Sequence, residues 1–249
     1  MARVAYVNGQ YVPFSRALIH VEDRGFQFAD GVYEVIAVKN QILLDSKRRF
    51  DRLSYSLSAL SIKPALSIAS LKIVLDQIIL RNKVINGIVY LQMTRGVAKR
   101  DHAFPDHTKT SLVITARASA PRSPSVMQAG VSVITVKDIR WQRCDIKSIS
   151  LLPNVLAKQE AKRVGAYEAW MIDGDGFVTE GSSTNAWILS EDGELITRHL
   201  DTGILAGVTR LVVRDIALKE KLNLVERPFT TEEAKKATEA FLTSTTSFV

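Results

Sequence analysis

The chain has 249 residues, 46% hydrophobic and 24% charged, which supports a large buried core and excludes a disordered protein. Its net charge of +7 suits phosphate or carboxylate ligands, but the sequence has no run of five like charges and no basic stripe interleaved with aromatics, so we predict no nucleic-acid partner. The single Cys144 excludes an internal disulfide, and no apolar stretch reaches about 18 residues, so we expect a cytoplasmic protein without membrane contact.

The N-terminal part of the chain reads as strands and helices without a regular repeat. Alternating apolar and polar residues around Asn8-Gly9 predict a first hairpin, because both turn residues tolerate a positive φ. A second hairpin is predicted at residues 31–46, with its turn at Lys39-Asn40. Apolar periodicity then predicts two helices separated by Pro64, followed by two strands joined by the charged loop 97–107: the helices are 47–62 and 67–84, and the strands 87–96 and 108–119.

A shift in composition to Pro, Ser and Arg predicts a linker at residues 119–125, between an N-terminal domain at 1–118 and a larger domain at 126–249. Hairpins mixed with helices, without regular βαβ alternation, predict an α+β fold with mixed sheets and flanking helices, not a Rossmann sheet. The elements predicted in the larger domain are a strand at 130–139, a helix ending at Gly165, hairpins at 167–181 and 185–198, helices at 207–223 and from a capping box at 230–233, and a final strand at 240–249.

Lys147 lies between Asp145 and a long apolar run, in a segment otherwise suited to burial. Arg140 and Arg143 precede it closely, and neighbouring cations lower the pKa of a lysine and expose a nucleophilic amine. Such a lysine is typical of pyridoxal phosphate enzymes, which also need a carboxylate at the pyridine nitrogen, a phosphate site and an anchor for the substrate carboxylate. A structural, water-exposed lysine is the alternative.

Three other segments supply candidates for those groups. Glu180 precedes a turn of small residues and could face the pyridine nitrogen, although a surface glutamate is the alternative. Gly207, Val208 and Thr209 are predicted to begin a helix, where N–H groups favour a phosphate or simply form an ordinary N-terminus. The hydroxyl-rich segment 243–247 could bind the same phosphate or form a threonine-rich edge strand.

Six segments in collinear order resemble the class IV (fold type IV) pyridoxal-phosphate aminotransferases, and most of all the bacterial D-amino acid aminotransferases. Branched-chain aminotransferases and aminodeoxychorismate lyases share the fold and the lysine and are the near alternatives. A non-catalytic basic binding protein is the alternative from another class. The six segments are EDRGFQFADGVYEVI, RDHAFP, DIRWQRCDIKSISLLPNVLAKQEA, VTEGSSTNAW, GVTR and FLTSTTS.

The resemblance implies a role for each candidate around the cofactor. Lys147 would form the Schiff base and move the substrate proton, while Glu180 would contact the pyridine nitrogen. Leu205 would pack on the ring face opposite the lysine, and Ser183 would support the surrounding network. Arg52, which by itself reads as a solvated helix charge, would bind the phosphate together with Val208, Thr209, Ser244 and Thr245.

Substrate choice depends, by the same resemblance, on the loop around Arg100 and His102. These residues would hold the substrate carboxylate together with Tyr33. In the family that loop comes from the neighbouring subunit, so the resemblance implies a homodimer with a shared site. The reaction implied is a ping-pong transamination of a D-amino acid such as D-alanine or D-glutamate, with 2-oxoglutarate or pyruvate as acceptor.

The composition and length add two expectations. Four histidines and one cysteine form no zinc-type spacing, so we predict no metal site. Family members continue for several tens of residues beyond the segment 243–247, whereas this chain ends at Val249. We therefore expect the cofactor-binding domain to be short at its C-terminal end.

Overall fold

The structure, a computed structural model, describes residues 3–119 and 129–246. The predicted linker at 119–125 lies outside the described residues except for Ser119, and the predicted domain division stays a prediction. The chain forms two compact units, and a short segment around Lys147 belongs to the first of them. The N-terminal unit comprises Met1–Pro121 and Ile146–Ser150, and the C-terminal unit comprises Arg122–Asp145 and Leu151–Val249.

The N-terminal unit is built on one six-stranded sheet in the order β2-β1-β6-β5-β3-β4, with antiparallel neighbours throughout. Its strands are β1 (Val4–Val7), β2 (Gln10–Pro13), β3 (Gly31–Lys39), β4 (Ile42–Leu43), β5 (Gly87–Thr94) and β6 (Ser111–Ala118). Its helices are α1 (Arg24–Phe28), α2 (Ser46–Ala59) and α3 (Ile68–Arg81), with a 3-10 turn at Phe14–Arg16.

The hairpins of this sheet form where the sequence predicts them. Asn8 and Gly9 have φ values of 48° and 100°, as the first turn requires. The second turn lies one residue later than predicted, because Asn40 and Gln41 take the left-handed conformation at φ values of 50° and 64°. The short helix α1 was not predicted. Its N-cap residue is Asp23, whose side chain accepts a hydrogen bond of 2.8 Å from the Gly25 N–H.

Alternation along β3 separates a core face from an open face. Val32, Ile36 and Val38 are buried in the apolar core that also contains residues of α2 and α3. Tyr33 is half-buried and points to the opposite face, because successive strand side chains alternate. Glu34 lies on the core side and is fully buried, which requires a partner for its charge.

The C-terminal unit contains a three-stranded sheet, β7-β8-β9, and a four-stranded sheet, β12-β11-β10-β13. The β7–β8 and β11–β12 pairs are parallel and the others antiparallel, so the predicted α+β fold with mixed sheets is confirmed. The strands are β7 (Val133–Lys137), β8 (Glu168–Ile172), β9 (Val178–Gly181), β10 (Asn185–Leu189), β11 (Glu194–Thr197), β12 (Asn223–Glu226) and β13 (Glu239–Thr243). The helices are α4 (Leu152–Arg163), α5 (Val208–Lys219) and α6 (Thr231–Lys236).

Helix boundaries in this unit follow local signals. Helix α4 ends at Arg163, two residues before its predicted end at Gly165, which follows the C-terminal cap residue and has a φ of 74°. The predicted capping box at the start of α6 is confirmed: the Thr230 hydroxyl accepts from the Glu233 N–H, and the Glu233 carboxylate accepts from the Thr230 N–H. Among the residues described, no helix is both long and apolar enough to cross a membrane.

Candidate active site

Lys147 is fixed through its backbone to two elements of the N-terminal unit. Its carbonyl accepts a hydrogen bond of 3.0 Å from the Tyr33 N–H on β3, and its N–H donates to the Ser56 hydroxyl on α2 at 3.1 Å. The Lys147 Nζ lies 4.2 Å from the centroid of the Tyr33 ring. The structure therefore brings together two predicted site residues, with the half-buried amine above an aromatic face.

Tyr33 shares the open face of its sheet with a second tyrosine. The rings of Tyr33 and Tyr90 are 5.7 Å apart, and the Tyr90 hydroxyl donates to Gln92 Oε1 at 2.6 Å. Burial raises the pKa of Tyr90 to about 12, so this hydroxyl keeps its proton at neutral pH. Neither Tyr90 nor Gln92 was predicted near the site, because the register between β3 and β5 is what places them beside Tyr33.

Arg52 is paired with a buried carboxylate and is not the solvated helix charge that its helix alone suggests. Its Nε and Nη2 donate to the two carboxylate oxygens of Glu34 at 2.7 and 2.9 Å. Glu34 is fully buried and Arg52 nearly so. A guanidinium has five N–H donors, and this fork leaves Arg52 in a fixed orientation. Glu34 was not predicted from the sequence, although a glutamate at a core-facing strand position is a recognisable signal.

Arg100 and His102 lie against the same aromatic ring. The Arg100 guanidinium carbon is 4.6 Å from the centroid of the Phe28 ring, and the His102 ring is 5.4 Å from it. Both side chains are exposed. Their spacing of two residues predicted that they could point in one direction, and their common contact with Phe28 agrees with this.

Glu180, on β9, is a buried carboxylate with several donors, so the alternative of a surface glutamate is wrong. It forms an ion pair with Arg140 and accepts a hydrogen bond from Asn185 Nδ2 at 2.9 Å. The Leu205 N–H lies 3.2 Å from each of its carboxylate oxygens, which brings two predicted residues together. Neither Arg140 nor Asn185 was predicted to hold Glu180.

The arginines that precede Lys147 are themselves paired with acids, and their predicted effect on the Lys147 pKa stays a prediction. Arg143 forms two hydrogen bonds of 3.0 Å with Asp145. Burial would lower the pKa of Arg140, but Asp138 and Glu180 raise it above its usual value. Burial likewise favours a higher pKa for Asp138, but hydrogen bonds and the charge of Arg140 lower it.

The predicted start of α5 is confirmed, with Gly207 as the residue before the first turn. Gly207 has no side chain with which to cap the helix, and a Cβ there would lie 1.9 Å from Asn185 Oδ1. The Thr209 hydroxyl donates to the Ser244 carbonyl at 3.0 Å, so these two predicted residues are neighbours. Val208 is buried, whereas Thr209, Ser244 and Thr245 are half-buried.

Ser183 is exposed and contacts a buried acid that the sequence did not mark. Its hydroxyl donates to Glu168 Oε2 at 3.2 Å. The hydroxyls of Ser182 and Thr184 also donate to Glu168, so three successive side chains surround one carboxylate. Ser183 thus belongs to a polar network around Glu168, and its role beside the cofactor stays a prediction.

A family model for class IV amino-transferases matches residues 31–249. The chain belongs to the class IV aminotransferases. The predictions of an enzyme, of an aminotransferase and of pyridoxal phosphate as cofactor are thereby confirmed, since enzymes of this class depend on that cofactor. Membership favours the enzyme over the non-catalytic binding protein.

Named relatives of this class IV aminotransferase agree with the family match. The D-alanine aminotransferase of Listeria innocua is 41% identical over 242 residues, which are 96% of this chain and 83% of that protein. The D-alanine aminotransferase of Staphylococcus epidermidis is 38% identical over 244 residues, which are 98% of this chain and 86% of that protein.

Solved structures show the same fold at lower identity. The branched-chain aminotransferase from the archaeon Thermoproteus uzoniensis, solved with norvaline, has a TM-score of 0.87 at 24% identity, over 98% of this chain and 84% of that chain. A fold IV-transaminase from Curtobacterium pusillum has a TM-score of 0.81 at 22% identity, over 97% of this chain and 88% of that chain. The predicted fold type IV architecture is therefore confirmed.

The side chains of this class IV aminotransferase fit its cofactor. The first turn of α5 carries backbone N–H groups suited to a phosphate, and Gly207 packs so closely on Asn185 that a Cβ would overlap with its Oδ1. Glu180 provides a buried carboxylate, held by three donor residues, that suits a pyridine nitrogen. Within residues 3–119 and 129–246, no group of three or more His, Cys, Asp or Glu is arranged to hold a metal ion.

Proposed function

We propose that this enzyme transfers the amino group of a D-amino acid, D-alanine or D-glutamate, to a 2-oxo acid, 2-oxoglutarate or pyruvate, by a ping-pong mechanism. The observation that carries the proposal is the contact of Arg100 and His102 with one ring, that of Phe28, which holds an arginine and a histidine side chain close together. Such a pair suits an α-carboxylate. Relatives named D-alanine aminotransferase, 38 and 41% identical over nearly the whole chain, support the same substrate class.

Lys147 is the proposed catalytic base and acid. Pyridoxal phosphate, when bound, supplies an electron sink that stabilises negative charge at the substrate Cα. The Lys147 amine would remove the Cα proton and donate it to C4′ of the cofactor. The Lys147 backbone is held to β3 and α2 by hydrogen bonds. The amine lies 4.2 Å from the centroid of the Tyr33 ring, on the open face of that strand.

The remaining residues are proposed to hold the cofactor. Glu180 keeps the pyridine nitrogen protonated, and Arg140 and Asn185 keep the carboxylate in place. Leu205, whose N–H donates to Glu180, packs against the ring, and Ser183 supports the network. The phosphate is assigned to Arg52, Val208, Thr209, Ser244 and Thr245.

Arg100, His102 and Tyr33 are proposed to hold the substrate carboxylate, with the loop supplied by a second subunit of a homodimer. Arg100 and His102 are exposed in the single chain, which is compatible with their use by another copy. The assignment of the loop to a second subunit rests on the family resemblance. The cytoplasmic location stays a prediction.

The test is an absorption spectrum of the protein loaded with pyridoxal phosphate, taken before and after D-alanine or L-leucine is added. We expect the visible band of the bound cofactor to be lost with D-alanine and to persist with L-leucine, because the amino group is transferred only from the D-substrate. Subsequent addition of 2-oxoglutarate or pyruvate should restore the band. Loss with L-leucine alone would instead identify a branched-chain enzyme, and no response to any D-amino acid would overturn the proposal.

The variant Lys147→Ala should lose at least about 10⁴-fold in kcat, because both the covalent and the proton-transfer roles disappear. Its circular dichroism should match that of the parent protein. Lys47→Ala is the matched control, since Lys47 is a solvent-exposed lysine paired with Asp51 one helical turn away. Retained turnover in Lys147→Ala would contradict the assignment.

A further inference from the structure

Arg24, the first residue of α1, is a buried arginine directed at the backbone of the Arg100–His102 loop. It is 3% exposed. Its Nη1 donates to the Asp101 carbonyl at 2.6 Å, and its Nη2 lies 3.4 Å from the His102 carbonyl. Its Nε donates to Asp30 at 2.7 Å. All three nitrogens are therefore used, and two of them contact the segment that carries the proposed substrate ligands.

The same guanidinium also packs on the aromatic ring beneath those ligands. The Arg24 guanidinium carbon lies 4.8 Å from the centroid of the Phe28 ring, which Arg100 contacts at 4.6 Å and His102 at 5.4 Å. Arg24 thus fixes both the loop backbone and one side of the ring against which the loop's side chains lie.

Asp30 anchors this arrangement to the rest of the unit. It accepts from Arg95 as well as from Arg24, with two hydrogen bonds of 2.7 and 3.0 Å from Arg95. Arg95 also donates to the carbonyls of Leu60 and Ser61, next to the end of α2. The loop is therefore attached through Arg24 and Asp30 to a buried frame, and a buried charge pair of this kind keeps a definite geometry.

We propose that Arg24 is a positioning residue for the substrate carboxylate. By holding the successive carbonyls of Asp101 and His102, it keeps the side chains of Arg100 and His102 directed to one side. The inference rests on the proposed function, because that function assigns Arg100 and His102 to the carboxylate. Arg24 itself, being buried, does not contact the substrate.

The decisive variant is Arg24→Lys, which keeps the charge beside Asp30 but has a single nitrogen and cannot hold both carbonyls. We expect KM for D-alanine to rise about tenfold or more, the effect of losing a hydrogen bond to a charged group, while kcat changes by less than about twofold. The visible band of the bound cofactor should be unchanged. Amide hydrogen exchange at residues 101–104 should become faster, which reports loop order without any catalytic turnover.

The control is Asn82→Ala, which removes a polar clamp elsewhere in the same unit. Asn82 Nδ2 donates to the carbonyls of Val4 and Ile78 at 2.9 and 2.8 Å, and none of these residues belongs to the loop. This variant should lower the melting temperature without changing KM or the exchange of the loop. A purely structural role for Arg24 would make the two variants behave alike, and that result would overturn the inference.

The two proposals can fail separately. If the parent protein transaminates D-alanine and Arg24→Lys has an unchanged KM, the positioning role is wrong and the proposed function stands. If the parent protein does not react with any D-amino acid, the proposed function is wrong and the inference about the substrate carboxylate falls with it. Unchanged hydrogen exchange in Arg24→Lys would overturn the role of Arg24 in ordering the loop in either case.

Discussion

Three buried glutamates show how the fold compensates individual charges. Glu34 is paired with Arg52, and Glu180 with Arg140 and Asn185. Glu168 accepts from neighbouring hydroxyls, with the Lys158 amine 3.7 Å away. An uncompensated buried charge costs several kcal/mol, about 3–5 when one partner of a pair is removed. The partners are therefore as necessary to the fold as the carboxylates are.

The buried environment of Cys144 disfavours ionisation of its thiol. It is 8% exposed, and its Sγ lies 3.1 Å from the Trp141 carbonyl. Burial raises the pKa of this thiol to about 11, although the Arg140 charge acts in the opposite direction. Since the thiolate is the reactive form, the native protein should resist alkylation.

We predict that iodoacetamide at pH 8 modifies Cys144 at least about a hundredfold more slowly in the native protein than in urea, because an unperturbed thiol has a pKa of about 8.5. Mass spectrometry over time gives both rates directly, since the chain has one cysteine. Equal rates in the two conditions would show that the thiol is not protected.

The start of α5 depends on a close approach between two elements. Gly207 has φ −63° and ψ 128°, a conformation that any residue can adopt, so its role is steric. A Cβ would collide with Asn185 Oδ1, and Asn185 cannot move easily because its Nδ2 donates to both Glu180 and the Leu205 carbonyl. The helix start and the Glu180 site are thus coupled.

Gly207→Ala should therefore destabilise the apo protein by about 1–3 kcal/mol, the usual cost of overpacking, and weaken pyridoxal phosphate binding at least severalfold. Thermal unfolding and a cofactor titration measure the two effects. Gly174→Ala is the matched control, because a Cβ at Gly174 meets nothing within 4 Å. Identical behaviour of the two variants would contradict the steric account.

Acid should weaken the C-terminal unit through carboxyl groups whose pKa is lowered by folding. Burial would raise the pKa of Asp173, but Arg198 and the Phe177 N–H lower it. The pKa of Glu233 is similarly lowered against burial, by the Thr230 N–H and by Arg227. A lowered folded-state pKa stabilises the protein above the unfolded-state value, near 4, and the contribution is lost as the pH falls through the folded-state value.

We predict that the melting temperature followed by tryptophan fluorescence falls between pH 7 and pH 3. All three tryptophans, Trp141, Trp170 and Trp187, lie in the C-terminal unit, so their emission reports on that unit. Asp173→Asn should lower the stability by about 1 kcal/mol at pH 7, because its carboxylate is partly exposed, and by less at pH 3. An equal deficit at both pH values would contradict the linkage.

Most elements could be predicted because their signals are local. The Asn8-Gly9 turn, the helix spacing around Phe50 and Leu53, and the capping box at Thr230 each lie within one short stretch of chain. Strand β12 was missed because its four residues carry little pattern and its parallel pairing with β11 depends on distant sequence. The turn at Asn40 was misplaced by one residue for the opposite reason, since several neighbouring residues tolerate the turn.

The sequence alone determined the α+β class and the order of the segments that resemble the family, because periodicity, turn chemistry and motif order are properties of the chain. Lys147 is the candidate that this resemblance selects. Only the tertiary structure determined which side chains and backbone groups hold the candidate site residues in place. Arg24 meets the Asp101 carbonyl across 77 residues, and the Lys147 N–H meets Ser56 across 91. Such partners are selected when distant segments pack together and each buried polar group must be satisfied, and no local pattern records that choice.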